Sequence, residues 1–222
     1  MRQAYAAEFI GTFALVFAGT SAIVIDAERS GAIGHVGIGM VFGLVIMVMI
    51  YAVGHVSGAH FNPAVTLAFA VGRHFSGREV PRYWAAQLAG ALLASSLLRG
   101  LFGNEEQLGS TVPSGSASQS LVLEILLTFF LMFVIAAVAT DVRAVGQAAA
   151  IAIGGTVGMC ALFAGPISGA SMNPARSLGP AIVSGTWPDQ WIYLAGPAFG
   201  AIVAVMAYAL IGGNANRKVT ND

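Results

Sequence analysis

Charge is what this chain has least of. Of its 222 residues ten are Lys or Arg and ten are Asp or Glu, 9% in all, where a soluble domain averages about 25%. The two signs cancel, so no basic surface is available to neutralise phosphates and nucleic acid is not an expected partner. One cysteine, Cys160, excludes a disulfide framework and any Cys-based metal site, and reads as a small packing residue. Four histidines and a few scattered carboxylates offer neither a nucleophile–base pair nor a metal cluster. The expectation is therefore no enzyme, no metal and no cofactor.

Apolar side chains are abundant instead: 57% of the chain is hydrophobic and the mean hydropathy is +0.79. A bilayer core takes roughly 20 apolar residues per helix. Six stretches qualify, at about 3–25, 35–56, 81–102, 119–140, 145–164 and 190–212. The first has Arg2 in front and small residues at Gly19–Ala22 behind, as a secretion signal would. Its run is too long for a signal, however, and Glu8 interrupts it, so it is expected to stay as a membrane helix. The longest connection, 103–118, is Gly/Ser-rich with only Glu105 and Glu106 charged.

Lys and Arg set the expected orientation. Six spans put both termini on one side, together with Arg2, Arg73, Arg78, Arg82, Arg143, Arg217 and Lys218; Arg29 and Arg99 fall opposite. Both termini are thus expected in the cytoplasm, with the lipid bilayer as the surroundings. Short loops suggest a prokaryotic inner membrane.

Two apolar segments, 62–72 and 173–185, are too short to cross. Each follows a Gly/Ser stretch and opens on the same tripeptide, Asn62-Pro63-Ala64 and Asn173-Pro174-Ala175. Asn is a good N-cap and Pro is favoured at the first helical position. Each segment therefore reads as a half-helix that begins inside the membrane, where irregular backbone survives only if protein buries it or water wets it.

The chain also repeats itself. Glu8 in the first span matches Glu124 in the fourth, Asn62 matches Asn173, and Leu88-Ala89-Gly90 in the third matches Leu194-Ala195-Gly196 in the sixth. Three spans per half force the halves into opposite orientations. Paired broken segments in such an inverted repeat point to the substrate path. The expected architecture is an all-α membrane protein of six transmembrane helices and two re-entrant half-helices. It forms one channel domain over 1–222, with repeats over about 1–102 and 119–212.

Two helix N-termini meeting near the midplane make a positive electrostatic maximum that opposes cations and protons. Asn62 and Asn173 carry amide donors for a neutral oxygen, and the approaches Ser57–His60 and Ser168–Ser171 carry backbone carbonyls. Ala59, His60 and Gly169 are candidate pore-lining residues. One Asn-Pro alone is a common turn; two copies at matched places of a repeat point to a shared role. Arg176 lies one turn beyond Asn173, and an Arg at that depth is expected to line a wet cavity. Glu8 and Glu124, placed symmetrically, are expected to accept loop N–H groups and brace the re-entrant segments, with a proton relay as the alternative. Gly11, Gly43, Gly90, Gly155 and Gly200 read as close helix crossings.

The stretches Gly54–Thr66 and Gly169–Ser177, with the six spans, two half-helices and membrane glutamates around them, resemble the aquaporins, or major intrinsic proteins. The resemblance covers nearly the whole chain. It implies a bundle around a narrow pore, a homotetramer with one pore per protomer, Asn62 and Asn173 as central donors, and Glu8 and Glu124 as braces. It also implies an arginine constriction walled by Phe42, Ala161, Ala170 and Arg176. Strict water channels are similar at Phe42 and Arg176 but carry His where this chain has Ala161. Glycerol facilitators carry Asp after the second-motif Arg; here Ser177 and Ala181 are water-type. The run Ala164–Met172 is most similar to the nodulin-like branch, which implies water together with glycerol and neutral arsenous or boric acid.

The expected function is thus a passive channel for water and small neutral solutes that excludes protons and ions. A strictly water-selective channel is the alternative. A secondary transporter is the distant one, and it would need a midplane carboxylate free to couple.

Overall fold

A computed structural model describes residues 1–140 and 148–211 of the chain. Eight α-helices occur among them: α1 (Arg2–Glu28), α2 (Gly34–Ser57), α3 (Pro63–Val71), α4 (Val80–Phe102), α5 (Ala117–Thr140), α6 (Ala149–Ser168), α7 (Pro174–Ser184) and α8 (Ile192–Ile211). No strand occurs among the described residues. Six of the helices are long and apolar enough to cross a membrane. The other two, α3 and α7, are the expected half-helices, 9 and 11 residues long. The expected start of the fifth span (145–147), the last residue of the sixth (212) and three of the orienting cations, Arg143, Arg217 and Lys218, lie outside the described residues.

An apolar core is present, as in a water-soluble protein, but the exterior is apolar too and polar groups are buried with the core. Leu44, Val48, Leu97, Phe130, Phe199 and Met206 face outward, whereas Glu8, Gln87, Glu124 and Arg176 lie inside. Such a surface is stable only against lipid, and such an interior only if its polar groups are paired.

Helix ends follow local chemistry. Asp26 Oδ1 accepts from Ile33 N and Gly34 N at 2.9 and 2.6 Å, so the end of α1 caps the start of α2. Helices α2 and α6 stop in matched left-handed turns, Gly58 at φ +84° and Gly169 at φ +82°, the backbone region that glycine enters without strain.

Helix α1 packs on α4 and α5 on α8, α2 meets α6 at the seam, and the half-helices lie across it, α3 on α8 and α7 on α4. Close crossings use glycine where a methyl would collide with backbone. A Cβ on Gly90 would lie 2.4 Å from Phe9 O, one on Gly200 2.2 Å from Ile125 O, and one on Gly43 2.7 Å from Gly154 O. The expectation for Gly155 is corrected. Nothing lies within 4 Å of its Cβ direction, and Gly154 occupies the crossing. One residue is 100° of helix rotation, enough to turn a contact outward. Gly11 faces the Phe61 ring, 1.9 Å from its Cβ direction, so it seats a loop side chain rather than a helix. Gly90→Ala is expected to destabilise the fold by about 1–3 kcal/mol through overpacking against rigid backbone, while Gly155→Ala stays near neutral. Thermal midpoints in detergent measure both.

Candidate functional site

Two Asn-Pro steps build the centre. Asn62 caps α3 by accepting from Ala64 N at 2.9 Å. Asn173 caps α7 by accepting from Ala175 N at 3.0 Å and Arg176 N at 3.4 Å. Pro63 and Pro174 occupy the first turns, where a missing N–H is harmless. Ala64 and Ala175 are buried behind them. The two caps are also cross-linked. Asn62 Nδ2 donates to Met172 O at 2.7 Å, and Asn173 Nδ2 donates to Phe61 O at 2.8 Å. Each amide has two N–H groups, so each keeps one beyond the cross-link.

The loops that deliver these caps are strained in the same way. Ala59 and Phe61 in one, and Ala170 and Met172 in the other, have φ between +42° and +54°, an uncommon region for residues with a Cβ. The membrane glutamates hold them there. Glu8 Oε1 accepts from Ser57 Oγ and His60 N at 2.7 and 2.9 Å, and Oε2 from Phe61 N and Gln87 Nε2, both at 2.7 Å. Glu124 Oε1 accepts from Ser168 Oγ and Ser171 N at 2.8 and 2.9 Å, and Oε2 from Met172 N at 2.8 Å. Both side chains are fully buried. Two tyrosines finish the frame: Tyr83 donates to Ser57 O and Tyr193 to Ser168 O.

A cavity of about 670 Å³ runs past the two caps. Its walls include Asn62, Asn173, Phe42, Ala161, Ala170 and Arg176, and also Ala59 and His60. The structure therefore brings the residues expected at the constriction and at the midpoint to one lumen. Gly169 is not on that wall; it lies at the α6 cap with its Cβ direction 3.0 Å from the Thr111 side chain. His55 is on the wall as well. Most of the remaining wall is aliphatic, including Leu15, Ile46, Ile50, Leu131 and Val157. The lumen thus has a polar strip of His60, Asn62, Asn173 and Arg176 against an apolar lining.

Arg176 is 2% exposed. Its NH1 donates to Gly109 O at 2.9 Å and its guanidinium carbon sits 5.0 Å from the centre of the Phe42 ring. No carboxylate lies within ion-pairing distance of it among the described residues, and its Nε has no partner there. A buried cation with no carboxylate at ion-pairing distance among the described residues presents its field to whatever enters the lumen.

Several residues of the site escape a reading of the sequence. Gly109 and Thr111 belong to the connection 103–118, yet they reach Arg176 and Ser177. Thr111 Oγ1 donates to Ser177 Oγ at 2.7 Å, Ser177 and Ser171 share a 2.6 Å hydrogen bond, and Ser171 Oγ donates to Asn173 O at 2.9 Å. Gln190 Nε2 fastens the same segment through Thr111 O at 2.7 Å. A hydroxyl chain therefore joins the 103–118 connection to the second cap. Gln87 had a legible signal, a lone amide inside an apolar span; Gly109 had none.

The sequence pattern of the family described as Major intrinsic protein matches residues 1–208. The chain is 54% identical over 210 residues to "Aquaporin NIP1-1" of Oryza sativa subsp. japonica, covering 94% of this chain and 74% of that protein. It is 51% identical over 210 residues to "Nodulin-26" of Glycine max, covering 94% and 78%. Among solved structures it is similar to the aquaglyceroporin from Plasmodium falciparum, with a TM-score of 0.81 and 25% identity over 93% of this chain and 95% of that one.

Proposed function

The chain belongs to the major intrinsic protein family, and from that premise we propose that it is a passive membrane channel for water and small neutral solutes, glycerol among them. The observation that carries the reading is the single lumen in which two half-helix caps, Asn62 and Asn173, and one buried cation, Arg176, face an apolar wall. A polyol has one face of hydroxyls and one of C–H groups, and this lumen offers a partner to each. The free N–H groups of Asn62 and Asn173 and the Arg176 guanidinium donate to its oxygens. Phe42, Ala161 and Ala170 form the filter's remaining walls and take the carbon face. Arsenous and boric acid, neutral and rich in hydroxyls, fit the same description.

Permeant cations are opposed twice, by the guanidinium and by the N-terminal ends of α3 and α7, each equivalent to about half a positive charge. Glu8 and Glu124 serve as braces, since their carboxylate oxygens are already occupied by loop donors. A coupling role would need one of them free. The assembly proposed is a homotetramer in the lipid bilayer, with one pore in each protomer and both termini on the cytoplasmic side, where Arg2, Arg73, Arg78 and Arg82 gather. The matched relatives named above are plant proteins, and they lend no support to a bacterial inner membrane.

Stopped-flow light scattering on proteoliposomes tests the solute range directly, with water and glycerol gradients compared. Ala161→His adds volume and a polar group to the filter. It is expected to lower glycerol permeability about tenfold or more while water permeability falls less than about threefold, because pore diameter and lining polarity set selectivity. Wild-type protein that passes water but no glycerol would reduce the channel to a strictly water-selective one. An Ala161→His variant that leaves both fluxes unchanged would remove position 161 from the filter.

A further inference from the structure

Two walls of the filter, Phe42 and Arg176, rest on one step of α1 that does not itself touch the lumen. Gly19 and Thr20 are both buried, and neither is among the residues lining the cavity. Gly19 approaches the Phe42 ring so closely that a Cβ there would lie 2.2 Å from Phe42 Cε1, 2.5 Å from Cζ and 2.6 Å from Cδ1. The next residue backs the other wall. The Cβ direction of Gly109 points at Thr20, 3.1 Å from its Cβ, with Gly109 held at φ +66°, and it is the Gly109 carbonyl that receives Arg176 NH1. Thr20 is itself fixed by donating its hydroxyl to Val16 O at 2.6 Å.

We propose that the Gly19–Thr20 step of α1 is a specificity-determining element of the channel: from outside the pore it sets how far the Phe42 ring and the loop carbonyl that anchors Arg176 stand into the lumen, and hence the largest solute admitted. The inference rests on the reading of Phe42 and Arg176 as filter walls. A methyl at position 19 leaves the Phe42 ring no place on the α1 side, so the ring must retreat by about an ångström or more to reach ordinary contact distance. The unfilled volume beside the ring is the lumen, which Phe42 already lines. The ring therefore advances into the lumen and the aperture narrows. Glycerol is shut out before water is.

Four proteins in proteoliposomes test this: wild type, Gly19→Ala, Phe42→Leu and the double variant, each measured for water and glycerol flux per folded protomer. Gly155→Ala, whose Cβ would meet nothing within 4 Å, controls for loss of a helical glycine. Gly19→Ala is expected to lower the glycerol-to-water ratio about tenfold or more, through the narrower pore. Phe42→Leu is expected to raise it. The double variant should match Phe42→Leu within about twofold, because the added methyl then has no ring to push. If Phe42→Leu moves the ratio and Gly19→Ala does not, the proposal fails while the filter reading stands. If Phe42→Leu leaves the ratio unmoved, the filter reading fails and takes the proposal with it. If neither Gly19→Ala nor the double variant yields folded protein, Gly19 is a packing requirement of the bundle alone and the proposal is overturned.

Discussion

Glu8→Gln and Glu124→Gln are each expected to leave little folded channel, although the substitution is nearly isosteric. The reason is the sign of the partners. Glu8 is surrounded by four donors: Ser57 Oγ, His60 N, Phe61 N and the Gln87 amide. Glu124 is surrounded by three: Ser168 Oγ, Ser171 N and Met172 N. A carboxylate only accepts, so it satisfies all of them. A glutamine replaces one accepting oxygen with an NH2 group that can only donate. At Glu8 every orientation of that amide faces two donors; at Glu124 the milder orientation still faces one.

A buried donor left without its acceptor costs about 1–3 kcal/mol, and each glutamine strands at least one. Two of these donors, Phe61 N and Met172 N, belong to loop residues held at positive φ, so the strain there loses part of its restraint as well. The expected total is about 2–5 kcal/mol, a large fraction of the 5–15 kcal/mol typical of a whole domain. Glu8→Gln should be the more severe, having four donors to offend against three. Thermal midpoints in detergent and the yield of protein by size-exclusion chromatography measure it. A Glu8→Gln protein that is as stable as wild type, with a flux that has lost a pH dependence the wild type shows, would make Glu8 a proton-relay group and not a brace.

How much of this was legible in the sequence varied with the kind of interaction. The two half-helices were, because Asn-Pro at a helix start is a local signal and the duplication repeats it. The glutamates were, because a carboxylate inside an apolar span has few roles and these two stand at matched places. The helix boundaries came close: α1 extends to Glu28 and α8 begins at Ile192, each within three residues of the expected limit, while α6 runs to Ser168, four beyond it. The rest depended on rotation and on distance along the chain. Gly155 was expected at the crossing that Gly154 makes, since composition does not say which of two adjacent glycines turns inward. Gly109 contributes only a backbone carbonyl, 67 positions away from the Arg176 that uses it. No side-chain pattern announces a carbonyl. The cross-links from Asn62 to Met172 O and from Asn173 to Phe61 O were likewise hidden, so the sequence suggested two free amides where each in fact spends one N–H on the opposite loop.

Arg176→Val is expected to open the pore to cations and protons while water flux persists. Arg176 is buried, is not ion-paired among the described residues, and stands over Phe42 at 5.0 Å. A cation passing about 5 Å from the guanidinium, at an effective dielectric of about 20, meets a repulsion of about 3 kcal/mol. Removing that charge should raise cation and proton permeability roughly a hundredfold. The rise should stop short of an open ion channel, because the N-terminal ends of α3 and α7 keep their partial charges. Water needs only a neutral path and should change less than about threefold, as its barrier is set mainly by pore width and the donors that remain at Asn62 and Asn173. Glycerol should pass faster, since valine is smaller than arginine and Gly109 O loses the donor that draws it to the wall. Proton flux is read with a pH-sensitive dye inside proteoliposomes under a potassium diffusion potential, with water flux by light scattering on the same vesicles. An Arg176→Val channel as proton-tight as wild type would place the ion barrier at the helix ends alone. Unchanged glycerol flux in addition would show that Arg176 forms no part of the constriction.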